Sequence, residues 1–243
     1  MLDRGQTETL GFVLVFAIIT ASIGLVYASG FTGLNDVREF EQVNNAERAF
    51  EVFADNIEDI THRNAPSRST EIKLADAELR IAEAIQVEVN DPDSTFNVTY
   101  DVRPVIYDPG TGTELVYAQG AVIRDQRHGG VVVKEGTLLL DANRSSIPVV
   151  QTRHVSGQGA VSGSTTVLVR ARQSQTQLVY VNTTTNNKIW FNVTSPRAEI
   201  WHDHLTSTYP DVTCNPVAGS AVNCSVSTDR VYVTVVKIDL SIE

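Results

Sequence analysis

Where imidazole and carboxylate side chains crowd together, a chain can bind a divalent metal or pass protons, and the densest such group here is His202-Asp203-His204. The element carrying it decides what it can do. Ser195 suits a helix N-cap, Pro196 suits the first helical position, and Ala198-Glu199-Ile200-Trp201 continue the helix. Side chains two apart on a helix diverge, so His202 and His204 read as solvated or capping residues that share no ligand. His62, His128 and His154 are scattered. No serine lies in a Gly-x-Ser-x-Gly elbow. Gly157-Gln158-Gly159 lacks the third glycine and the strand-to-helix setting of a phosphate cradle. Trp190, Phe191 and Trp201 read as core aromatics of a β domain in preference to a carbohydrate platform. The expectation is a non-enzymatic protein without metal or cofactor.

Two other patterns point to covalent chemistry done on the chain. Cys214 and Cys224, its only cysteines, enclose a short loop with Pro216 and Gly219. They form a disulfide in an oxidising compartment, stabilising by about 2–4 kcal/mol, or are two unrelated buried thiols. Asn97, Asn143, Asn182, Asn192 and Asn223 each begin an N-x-S/T triplet and are candidate glycosylation sites, all on one side of the longest apolar run.

That run is the element which positions everything else. From Leu10 to about Phe31 no charged residue appears, and Thr20, Ser22 and Gly24 are the main polar or small interruptions. At about 1.5 Å per residue it is long enough to cross a hydrocarbon core of about 30 Å. A buried core helix would show a polar side, which is missing, and a cleaved secretory signal would carry a shorter apolar region, although Ala28-Ser29-Gly30 has the small residues of such a cleavage site. Ala17, Ala21, Gly24 and Ala28 fall on one side of the helix and form a stripe narrow enough for a second helix to approach.

Gly30, Gly33 and Asn35 predict a weak point after the span, and Asp36 with Glu39 predicts a fresh helix start. Phe40, Val43, Ala46, Phe50, Phe53, Ile57 and Ile60 then repeat at three and four, the pattern of an amphipathic helix over 36–62 whose stripe packs on the chain's own domain. Glu47, Glu51, Asp55, Glu58 and Asp59 crowd its other side, where like charges repel and salt would screen them. Pro66 ends the helix. Residues 69–243 are rich in Val, Ile, Thr, Tyr and Phe between turn residues and predict an antiparallel, sandwich-like β domain, giving an α+β chain. Expected strands include Glu71–Leu74, Ile85–Val89, Phe96–Val102, one strand over Glu114–Arg124, Val131–Lys134, Thr137–Asp141, Pro148–Arg153, separate strands at Thr166–Arg172 and Gln177–Val181, Ile189–Val193 and Arg230–Ile242.

A net charge of −10 without a Lys/Arg cluster excludes nucleic acid as a partner. With 15 Arg and 4 Lys, the acidic, Lys-poor balance fits solubility in strong brine.

Arg4-Gly5-Gln6, directly ahead of the apolar run, resembles the class III signal of archaeal type IV pilin-like proteins and most closely the archaellin start. The remainder resembles haloarchaeal pilin-like membrane proteins more loosely. The resemblance implies a class III-type signal over residues 1–5, cut after Gly5 by a prepilin-type peptidase so that Gln6 becomes the first residue. It further implies a retained helix over 6–63 spanning the membrane at about 10–31, a single-pass topology with an extracellular domain, and other pilin-like subunits as partners. Glu8 becomes third and Leu10 fifth in the processed chain, whereas bacterial type IV pilins carry an acidic residue fifth. Two further functional readings are a non-filamentous single-pass protein displaying a binding or structural domain, and a tethered secreted enzyme.

Overall fold

The computed structural model describes residues 4–243, and the side chains of residues 4–9 and 28–36 lie outside that description. The chain divides into two units, Met1–Asn44 and Asn45–Glu243. Helix α1 (Arg4–Arg63) supplies all the described residues of the first and the opening of the second. No break occurs at Gly30, Gly33 or Asn35, and no new start at Asp36, since glycine lowers helix propensity by only about 1 kcal/mol. α1 stops where Asn64 turns left-handed, with φ of 55°, and Ala65 N–H donates to the Asp59 carbonyl at 3.1 Å.

In the second unit the helical stripe is buried as expected: Phe50, Phe53, Ile57 and Ile60 are each 0–1% exposed. Strands β1 (Ser67–Lys73), β2 (Ala77–Ile81), β3 (Ile85–Asn90), β4 (Asn97–Val102), β5 (Val105–Asp108), β6 (Thr113–Ala118), β7 (Ala121–Gln126) and β8 (Gly129–Lys134) follow. Then come β9 (Ser145–His154), β10 (Ala160–Gly163), β11 (Thr166–Asn182), β12 (Asn187–Thr194), helix α2 (Ala198–Thr208), β13 (Val212–Cys214), β14 (Ala221–Thr228) and β15 (Val231–Ile242). They build three sheets instead of the two of a sandwich, ordered β1-β11-β15-β9, β10-β2-β5-β6-β7-β8 and β13-β14-β12-β3-β4. Pairing is antiparallel throughout except for β15 with β9, which run parallel from Val231 opposite Ser145 to Leu240 opposite His154.

The packed half of α1 lies on the six-stranded sheet. Phe53 meets Tyr117 of β6 edge-on at 4.9 Å and Phe50 meets Tyr107 of β5 at 6.5 Å. Three of the five carboxylates on its acidic flank are paired: Glu47 with Arg124 at 2.5 Å, Asp55 with Lys134 at 2.8 Å, and Asp59 with Arg63 of the same helix at 2.7 Å and Arg68 at 3.0 Å. Screening by salt is therefore not the only relief for that run of carboxylates. α2 covers the five-stranded sheet with Ile200, Trp201 and Leu205.

Three strand expectations are corrected. Glu114–Arg124 is a hairpin, with Gln119 and Gly120 at φ of 51° and 86°; the buried Gln119 amide donates to Pro148 O at 2.7 Å and accepts from Val150 N at 3.1 Å, anchoring the turn on β9. Thr137–Asp141 makes only a single bridge, Leu139 to Ser146. The two strands expected at 166–172 and 177–181 are one, β11, continuous through irregularities at Ser174 and Val179. In β15 the inward positions change phase at Val235 and Val236, both buried, so the alternation begun at Val231 does not run to the end.

Candidate functional site

Among the described residues, the longest run of exposed apolar side chains is on α1. Leu10–Tyr27 is 18 residues long, none of them buried, and long and apolar enough to cross a membrane. Two of its hydroxyls bond within the helix, Thr20 Oγ1 donating to Phe16 O at 2.8 Å and Ser22 Oγ to Ile18 O at 2.7 Å. Ala17, Ala21 and Gly24 lie along one side of this helix, and a Cβ built on Gly24 meets nothing within 4 Å, so that side is open to close approach. Ala28 belongs to the same side by spacing, but its side chain is outside the described residues, as are those of Arg4, Gly5 and Gln6 at the first turn of α1.

Cys214 and Cys224 are joined as a disulfide between directly opposed positions of β13 and β14. Of the five N-x-S/T asparagines, Asn97 and Asn143 are exposed, whereas Asn182, Asn192 and Asn223 are half-buried. Asn192 of β12 and Asn223 of β14 are cross-strand partners. Asn182 joins a cluster that pins the β3–β4 turn to β11. The Asp91 carboxylate, 2% exposed, accepts from Tyr180 Oη at 2.5 Å, and Phe96 stacks on the Tyr180 ring at 4.0 Å. Burial and the neighbouring Asp91 carboxylate push the Tyr180 phenol above its ordinary value.

The histidines separate as a helix requires. His202 sits 3.3 Å from Asp203 at the surface. His204, expected as a solvated or capping residue, is half-buried: it packs edge-on to Trp201 and Tyr209, and Thr208 Oγ1 lies 3.2 Å from its Nδ1. Burial lowers its pKa, opposed by the charge of Glu135, and burial with the same Glu135 pushes Tyr209 up to about 12. Among the described residues no three His, Cys, Asp or Glu side chains converge on a possible metal position. Helix α2 starts at Ala198, two residues past the expected Pro196, yet Ser195 Oγ still accepts from Arg197 N at 3.1 Å. Phe191 and Trp201 are core residues, but Trp190 is half-buried on the outer side of its sheet with the Lys188 ammonium 5.0 Å above the ring.

One cluster escaped the sequence reading. An open cleft of about 720 Å³ is walled by Ile81, Ile85, Pro104 and Ile106, with Arg80 and Arg197 at its side. Both guanidiniums pair with Glu114, Arg80 at 2.8 Å, and Arg197 also meets Asp125 at 2.8 Å. The charges close on one another and tie β2, β6 and β7 to the start of α2. Because these partners lie far apart in the chain, no local spacing announces them.

The chain matches no curated protein and no solved structure. One family model, described as a family of unknown function (DUF7289), matches residues 4–241, from the first turn of α1 into β15, and the chain belongs to that family.

Proposed function

We propose that this protein is a type IV pilin-like subunit of an archaeal cell envelope, held in the membrane by Leu10–Tyr27, trimmed between Gly5 and Gln6 by a prepilin-type peptidase, and assembled with like subunits so that the β domain stands outside the cell. The observation that carries the reading is the unburied 18-residue apolar stretch that begins at Leu10, close behind Arg4-Gly5-Gln6. Such a surface is costly in water at about 25 cal/mol per Å² and stable in lipid, where helices are exchanged for lipid tails at little cost and small-residue faces let them close. Satisfied hydroxyls at Thr20 and Ser22 support a lipid setting, and the Cys214–Cys224 disulfide supports an oxidising one. Chemistry is then done on the chain at Gly5-Gln6, and its own role is anchoring, assembly and display.

The test is the intact mass of the protein extracted from its membranes. Gln6 as first residue is the expected result, and replacing Arg4 and Gly5 with Ala and Val should restore the longer form. A chain still beginning at Met1 overturns the processing, and recovery in the cytosolic fraction overturns the whole reading. Electron microscopy of sheared surface material then separates a filament subunit from a processed protein that remains solitary in the membrane.

A further inference from the structure

The five N-x-S/T triplets look alike in sequence, but the fold gives them different chemistry. N-glycosylation needs two groups of the triplet at once: the amide nitrogen that becomes bonded to sugar, and the hydroxyl two residues on by which the acceptor is recognised. Asn97 and Thr99 are both exposed, and lie two apart on β4, hence on one side of the last strand of the five-stranded sheet. Among the described residues neither side chain is held by a hydrogen bond of the domain.

Each of the other four is obstructed by its surroundings. Asn143 is exposed, but Ser145 is 0% exposed and its hydroxyl is closed on Asp141, donating to the carbonyl at 3.2 Å and accepting from the amide at 3.3 Å. The Asn182 amide nitrogen faces Asp91 at 3.4 Å, Tyr180 Oη at 3.2 Å and Asn187 Oδ1 at 3.0 Å, while its oxygen accepts from Thr184 N at 3.0 Å. Sugar there would dismantle the cluster that holds the β3–β4 turn. Asn192 lies on β12 between β14 and β3, with its amide donating to Glu88 at 3.3 Å. Asn223 faces it across the ladder and precedes Cys224, which is 0% exposed and disulfide-bonded.

We infer that Asn97 is the glycan acceptor of this chain and that the other four asparagines are structural. The inference rests on the outward placement of the domain proposed above. The co-reactant is an oligosaccharide carried on a lipid phosphate or pyrophosphate. The Asn97 Nδ2–C1 bond forms as the C1–O–phosphate bond breaks, the lipid phosphate departs with the electron pair, and the amide loses one proton to the transferase. A glycan there also caps the outer strand of its sheet, the kind of edge that otherwise recruits other strands.

The experiment is glycopeptide mass spectrometry of the full-length protein isolated from its own membranes, run beside protease shaving of intact cells. The expected result is sugar mass on the Asn97 peptide alone, complete loss of glycan in Asn97→Gln and Thr99→Val, and retention in Thr99→Ser. Sugar on Asn143, Asn182, Asn192 or Asn223 overturns the assignment. So does a bare Asn97 in a domain that the protease reaches, and that outcome leaves the pilin-like reading standing. A domain protected in intact cells removes both.

Discussion

Two stretches of one helix face opposite demands. Between Leu10 and Tyr27 α1 is apolar on every side and none of it is buried. Between Ala46 and Ile60 it is apolar on one stripe alone, and Ala46, Phe50, Phe53, Ala54, Ile57 and Ile60 are all 0–4% exposed. The width of the apolar belt, more than its hydrophobicity, distinguishes the two: a stripe of one residue in three or four can be matched by a single sheet, whereas a belt right round the helix cannot. Val37 and Phe40 stand at the changeover, 60% and 62% exposed although Phe40 continues the packed stripe by spacing. Periodicity thus locates the inward side of this helix without saying where packing begins.

The comparison breaks most sharply at Phe53. Phe53→Ala removes a ring seated on Tyr117 and should cost about 3–5 kcal/mol of domain stability, read by denaturant unfolding, while the protein stays in the membrane fraction. The reciprocal change is Ile18→Arg, which should cost about 2.5–3.5 kcal/mol of insertion and release protein from membranes without moving the midpoint of domain unfolding. If Ile18→Arg lowers that midpoint, or Phe53→Ala releases the protein, the two stretches do not serve separate solvents.

The same contrast explains what could be read in advance. α1, its apolar belt and its packed stripe were legible because helical periodicity is local. The strands β3, β4, β9, β12 and β15 were legible for the same reason. β2 carries a local signal too, outside the expected strands: Ala77, Leu79 and Ile81 are buried while Glu78 and Arg80 alternate with them. β14 hid behind its Asn, Ser and Thr residues, although Val222, Cys224, Val226 and Thr228 point inward in strict alternation. What no local pattern carries is the distant pairing. The parallel register of β9 with β15, the Glu114 bridge between Arg80 and Arg197, and the Asp91–Tyr180 bond join residues separated by tens of positions. The triplets were legible as a motif, but their inequality comes from the second residue of each pair, such as the hidden Ser145 against the exposed Thr99.

The smallest expected effect sharpens the comparison at the borders of the packed stripe. Glu47 and Arg124 are 20% and 23% exposed at 2.5 Å, whereas Asp55 is 61% exposed opposite a 27% exposed Lys134 at 2.8 Å. An exposed pair contributes about 0–1 kcal/mol and is screened by salt, with a Debye length of about 3 Å at 1 M, while a partly enclosed pair is shielded from solvent ions. Asp55→Asn should therefore cost little in dilute buffer and nothing measurable at 1–2 M salt, and Glu47→Gln should cost more and keep most of its effect, because it leaves the Arg124 guanidinium beside a neutral amide. Unfolding midpoints of both variants across a salt series decide it. Equal loss of both effects would mean that water reaches Glu47 as freely as Asp55, and that neither pair adds to what the buried stripe supplies.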